Sequence, residues 1–207
     1  MLKILSKLLG RDLTARSEPV PEDERRLSDE QIMEEYFPPS KHSKQAKQAL
    51  RHVVTLLTEQ LGREESQRLT SLVTSHLQPG ETASGALEDA LLGDDGQRRG
   101  KWLMIQVDWK ATDEVEWQAN ELLASAGVAE TWHLQDELNT TVPLALSSFA
   151  DWVKLRGYCL LHVDLGHDAY YAFLVLQEKS DEIIRAAETA GLEIQTSDEF
   201  AAENMRN

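Results

Sequence analysis

One short stretch concentrates side chains able to do chemistry. His162-Val-Asp164-Leu-Gly-His167-Asp168 brings two imidazoles and two carboxylates into seven residues. Side chains alternate along a strand, so His162 and Asp164 share one face, with Leu161, Val163 and Leu165 on the other. A carboxylate beside an imidazole can orient it as a general base. Imidazoles and carboxylates gathered at a strand end suit a divalent cation. His162, Asp164 and His167 are therefore the candidate metal ligands. Asp108, at the end of an earlier predicted strand, joins His162, Asp164, His167 and Asp168 as a catalytic candidate if those two strands are neighbours. The same residue types also have a purely structural use. Asp and Gly are ordinary turn formers, so Asp168 closes a hairpin and His162 is a half-buried sheet residue with one hydrogen bond. No established metal signature has this spacing, and the structural use is the simpler reading.

Other chemistry is sparse. Cys159, the single cysteine, lies among Tyr158, Leu160 and Leu161. Nothing beside it lowers a thiol pKa, so a buried, unreactive sulfur is expected. No Ser sits in a nucleophile-elbow context, and no glycine-rich phosphate loop or cofactor-binding pattern is present. The balance leans away from an enzyme.

Charge is more informative. The 43 residues between Lys110 and Lys154 contain no Lys or Arg and eight carboxylates. Net charge is −3 over residues 1–40, 0 over 41–100 and −12 over 101–207, giving the total of −15. Such a surface repels nucleic acid and anionic lipid and attracts basic proteins. Asp113, Glu114, Glu116 and Glu121, with Trp117, are the expected partner contacts, and Asp136 and Glu137 add to them. Trp109, Trp117 and Trp132 could line a groove beside these acids, whereas Trp102, Trp117 and Trp152 also suit a core. Lys41, Lys44, Lys47 and Arg51 lie along one helix face. Against the net charge, they read as a solvated stripe rather than a nucleic-acid site.

These residues need elements to hold them. All five Trp follow residue 100, so the main core is expected to start near Lys101. Residues 1–11 alternate Leu and Lys at helical spacing. They suit a short docking helix, with peripheral membrane contact as the other use. Residues 12–40 read as a charged, proline-bearing linker, with a capping box at Ser28–Gln31 opening a short helix that Pro38-Pro39 ends. Residues 41–61 form a helix with Leu50, Val53, Leu57 and Leu61 inward, closed by Gly62. A second helix buries Leu69, Leu72, Val73 and Leu77 and stops at Pro79-Gly80. Residues 82–92 form a third.

Next come a strand at 102–108 and a helix opened by Thr112-Asp-Glu-Val115 and closed by Ala126-Gly127-Val128. A strand at 128–134 and a helix at 144–155 follow. Strands at 158–164 and 170–176 then form an antiparallel hairpin. Ser180-Asp-Glu-Ile183 and Ala190-Gly191-Leu192 bracket one more helix, before a strand at 192–195. The series reads β-α-β-α-β-β-α-β: an α+β fold with helices on one face of a sheet, a ferredoxin-like variant preceded by a helical hairpin. Three regions result: 1–40, 41–100 and 101–207. The chain has no disulfide pair, signal peptide or apolar run able to span a bilayer, so a cytoplasmic protein is expected.

The runs Val107-Asp-Trp-Lys-Ala-Thr-Asp-Glu-Val-Glu-Trp117 and Tyr158-Cys-Leu-Leu-His-Val-Asp-Leu-Gly-His-Asp-Ala-Tyr170 resemble an uncharacterised bacterial domain family over residues 101–195. The resemblance carries no activity and no functional residue. Charge and the missing catalytic patterns favour a non-enzymatic acidic module that binds a basic protein, like immunity proteins and antitoxins. A metal-dependent enzyme built around 162–168 is the alternative.

Overall fold

The computed structural model describes residues 44–135 and 139–205, which lie within one compact unit, 39–207. The expectations for 1–11, the linker with its capping box, Lys41, Asp136 and Glu137 fall outside the described residues.

Three helices open the described chain: α1 (Lys44–Thr58), α2 (Arg63–His76) and α3 (Ala83–Leu92). Strand β1 (Met104–Asp108) leads into α4 (Asp113–Ser125) and α5 (Val142–Lys154). Strands β2 (Tyr158–Val163) and β3 (Ala169–Leu176) form the hairpin, followed by α6 (Ser180–Ala190), β4 (Ile194–Thr196) and α7 (Ser197–Asn204). The sheet order is β1-β3-β2-β4, with every neighbouring pair antiparallel. The β2–β3 hairpin therefore occupies its centre, and Asp108 sits opposite Ala169.

The expected α+β class and the antiparallel hairpin hold; other details of the expected series do not. Helices cover both faces of the sheet rather than one. Leu161, Val163, Tyr171, Phe173 and Val175 pack into a core with α1, α2, α3 and α6. Their strand neighbours Leu160, Ala172 and Leu174 face a second core with α4, α5 and α7. Period-two alternation with both sides apolar is what a sheet between two helical layers requires. The front helices thus bury Leu50, Val53, Leu57, Leu69 and Leu87 in the sheet's own core, which does not begin at Lys101.

The second difference is the segment 128–134, which belongs to no strand. Its main chain is satisfied by α4 instead. Asn120 accepts from the Trp132 N–H (2.8 Å) and donates to the Trp132 carbonyl (2.9 Å), while Glu116 accepts from the Leu134 N–H (2.9 Å). A carboxamide has one acceptor and two donors, so it can pair with both main-chain groups of one residue. The same device protects the exposed edge of β1. Gln97 accepts from the Met104 N–H (2.9 Å) and donates to its carbonyl (3.1 Å). Gln118 does the same for Gln106, at 2.8 and 2.7 Å. Two side chains occupy the hydrogen-bonding positions another strand would need.

Helix ends follow local chemistry. Ala126-Gly127-Val128 and Ala190-Gly191-Leu192 make the same termination: Val128 N–H bonds Leu123 O, Leu192 N–H bonds Ala187 O, and both glycines have positive φ. That is the Schellman arrangement. The two helices start where expected but without a hydroxyl cap. Thr112 has helical dihedrals and makes no cap, and the Ser180 hydroxyl donates to Gln177 O. Thr196 does cap. Its hydroxyl accepts from Glu199 N–H, and the Glu199 carboxylate accepts from Thr196 N–H at 2.8 Å. Helix α7 is absent from the expected series, although Thr196-Ser-Asp-Glu199 has the capping-box spacing. Thr196→Ala is expected to cost about 1 kcal/mol and loosen α7, measured as earlier amide exchange in α7 than in β2. Unchanged exchange in α7 would remove this role.

Candidate functional site

Two surfaces bring polar and aromatic side chains together. The first is a shallow groove of about 540 Å³ along α4, lined by Thr112, Asp113, Glu116, Trp117, Asn120, Glu121, Ala124 and Leu134. It collects Asp113, Glu116, Trp117 and Glu121 of the expected partner contacts. Glu114, on the same helix, is exposed and accepts from Gln118 at 3.4 Å.

These anions are not equivalent. Glu121 is paired with Arg99 at 2.9 Å and also accepts from Gly100 N–H. The Arg99 guanidinium lies 4.8 Å from the centroid of the Trp117 ring, with its side chain 73% exposed. A cation from the front half of the chain thus already occupies an acid-and-aromatic slot. Glu116 is held by Leu134 N–H and by His133 Nδ1 at 2.9 Å, and these bonds, the main-chain one foremost, keep its carboxyl below the usual range. Asp113 and Glu114 are exposed, with no cation at ion-pair distance among the described residues. Outside the groove, Glu130 pairs with Arg156 at 2.8 Å.

The tryptophans sort differently from expectation. Trp132 is buried against Phe149, with ring centroids 5.2 Å apart, so it belongs to the core and not to a groove. Trp117 is half-buried, edge-on to Trp102 at 5.3 Å, and lines the groove without joining either core cluster. Trp109 is 53% exposed, with Lys110 Nζ 4.2 Å from its ring centroid.

The second surface is a cleft of about 200 Å³ where the β2–β3 turn meets β4 and α7. His162, Asp164 and His167 line it with Tyr170, Gln195, Phe200 and Glu203. The three do not act as a set. His162 is 4% exposed and stacks flat on Phe200, centroids 3.8 Å apart. Neither of its ring nitrogens has a hydrogen-bond partner, so the expected single bond is missing. Burial pushes its pKa down to about 3. Asp164 turns back to accept from Gly166 N–H at 2.7 Å, shaping the hairpin turn. His167 Nε2 lies 3.0 Å from Glu88 on α3. Asp168 is exposed in an adjoining hollow with Trp109 and Tyr170. Asp108 accepts from Lys110 N–H at 2.9 Å, closing its own turn. Among the described residues, no three His, Cys, Asp or Glu side chains converge so as to hold a metal ion.

Cys159 is half-buried, and burial pushes its thiol pKa up, opposite to what a nucleophile requires. Phe200, Glu203 and Gln195 were not anticipated because their helix and short strand were not placed together. Arg99 was missed because its contact with Trp117 spans a loop. No helix among the described residues is long and apolar enough to cross a membrane.

A family profile described as "Domain of unknown function (DUF6630)" matches residues 31–197, which takes in the front helices as well as the sheet. No curated protein and no solved structure matches the chain.

Proposed function

Since the chain belongs to the DUF6630 family, a domain of unknown function, its role must be read from its own surfaces, and we propose that it is a non-enzymatic acidic module that binds a basic protein through the α4 groove. The observation that carries this is Arg99. Its guanidinium lies over Trp117 and bridges to Glu121, so the groove already recognises an arginine by charge and by aromatic face. Asp113 and Glu114 extend the same helix with exposed carboxylates and would meet further cations of the partner. Aromatic anchors rimmed by charge are the usual make-up of a binding hot spot, and the field of the surrounding acids would speed encounter at low salt. A cytoplasmic module on the pattern of bacterial immunity proteins or antitoxins fits this chemistry.

Affinity capture with the wild type and with an Asp113→Lys/Glu114→Lys form tests the reading. Proteins retained at low ionic strength should be basic, should elute as salt is raised, and should be lost from the charge-reversed form. Retention of the same proteins by both forms, or retention indifferent to salt, would contradict it.

A further inference from the structure

Helix α7 docks on the sheet through one buried side chain, and that side chain covers His162. Phe200 is the buried residue of α7. Its ring stacks flat on the imidazole, and Tyr170 meets it edge-on at 5.5 Å. Further ties are polar and lie nearer the surface. The Ser197 hydroxyl donates to Leu160 O at 3.0 Å, and the Gln195 amide donates to Glu203 at 2.9 Å. Eight residues are too few for a helix to persist by itself in water, so an undocked α7 also unwinds.

The imidazole under this cover is cut off from water. Both ring nitrogens are buried and without partners, in a place where polar atoms are ordinarily satisfied. Lifting Phe200 gives them water and room for a proton. Burial pushes the pKa of the closed form down to about 3, against 6.5 for an exposed ring. The open form therefore binds a proton that the closed form refuses. Closure is fully favoured above pH 6.5 and loses ground as pH falls toward 3. The neighbouring groups do not oppose this. Asp164 and His167 reach the cleft from the β2–β3 turn, Tyr170 and Tyr171 from β3, and Glu203 from α7, while β4 brings the uncharged Gln195. Asp151 and Lys154 of α5 lie with Asp198 of α7 in the next hollow. Asp164 and Glu203 would favour the imidazolium once it is uncovered, because an opposite charge stabilises the charged form. Glu199 caps α7, and its bonds from Thr196 keep its carboxyl below the usual 4.5, so the cap survives while an exposed His162 titrates.

We propose that α7 is an acid-released strap: protonation of His162 is coupled to the lifting of Phe200 and the unwinding of α7, while β2, β3 and the helices on the other sheet face stay folded. The surface it uncovers is the second sheet face around His162 and Tyr170. The device is independent of the α4 groove.

Amide hydrogen exchange of the full chain tests this, read residue by residue by NMR over a pH series with and without low urea and corrected for the intrinsic effect of pH. The α7 amides are expected to exchange through an opening that low urea does not promote, unlike the global unfolding that exposes β2. That opening should become about thirtyfold more populated between about pH 7.5 and about pH 5, because an exposed ring takes up its proton around 6.5. In His162→Phe, which keeps a ring against Phe200 and carries no proton, the opening should change by less than about threefold over the same range. Should that variant fail to fold, the wild type alone still decides, because local and global openings separate in urea. The proposal is overturned if the α7 opening is flat across this range, if urea promotes it as it promotes exposure of β2, or if His162→Phe shows the wild-type rise.

Discussion

Acid is expected to destabilise the protein through one buried imidazole, and His162→Phe is expected to remove that sensitivity. In the folded chain burial lowers the His162 pKa from 6.5 to about 3. Between those values the unfolded chain binds a proton that the folded chain refuses, so stability falls as pH drops through this window and is complete above it. A tenfold change in proton affinity is worth about 1.4 kcal/mol, so the full loss is on the order of 5 kcal/mol, a third or more of the roughly 5–15 kcal/mol that holds a typical domain folded. The stabilised carboxylates of Glu65 and Glu116 act at lower pH. Their pKa values are depressed below 4.5 by the Arg68 side chain and the Leu134 N–H respectively, and their contributions are lost only as pH falls below that point. The interval from pH 6.5 down to 4.5 therefore separates His162 from these two carboxylates. Phe at this position keeps the stack on Phe200 and carries no proton. Urea unfolding at a series of pH values, wild type against His162→Phe, reads the slope directly. Equal slopes in the two proteins would refute the assignment, and differences from the other imidazoles cancel in the comparison.

Gln118→Leu is expected to cost about 2–6 kcal/mol and to make the protein self-associate. Gln118 is 3% exposed, and its amide satisfies both main-chain groups of Gln106 on the edge strand. Leu fills similar space but leaves a donor and an acceptor unpaired, and each such loss costs about 1–3 kcal/mol. It also frees the edge of β1 for a strand from another molecule. Gln118→Glu is a sharper variant of nearly the same shape. It can still accept from the Gln106 N–H but can no longer donate to the carbonyl 2.7 Å away. Denaturant midpoints and size-exclusion profiles over a concentration series measure the two consequences. A midpoint within experimental error of the wild type would show that the bracket contributes nothing.

Periodicity and punctuation made most elements legible in the sequence. Leu50, Val53 and Leu57 mark α1, Pro143 starts α5, and Gly166 with Asp164 makes the turn between β2 and β3. What stayed hidden depended on contacts distant in sequence. The run at 128–134 has strand-like residues, but its hydrogen-bonding partners are Asn120 and Glu116 side chains, and no periodicity reports a side chain standing in for a strand. The helical layer over the second sheet face was legible at Tyr171–Leu174, where the residues of both faces are apolar, although the expected series kept its helices to one face. The acidic α4 face was visible from Asp113, Glu114, Glu116 and Glu121. Its pairing with Arg99 and its hydrogen bond to His133 were not, because both reach it from loops. The His162 cluster drew notice for its residue types, yet its setting depends on Phe200 in a helix that only the Thr196–Glu199 capping spacing announces.

The claim that the α4 groove recognises guanidinium is tested most directly by removing its resident one. A tri-arginine peptide titrated against wild type and Arg99→Ala, followed by tryptophan fluorescence, compares a slot filled from within with the same slot left open. The groove account predicts tighter binding to Arg99→Ala, by more than is gained in Arg63→Ala, where an exposed arginine is removed from the start of α2. Equal gains in the two variants would mean that only overall charge matters, and weaker binding to Arg99→Ala would contradict the groove as the place where a basic partner docks.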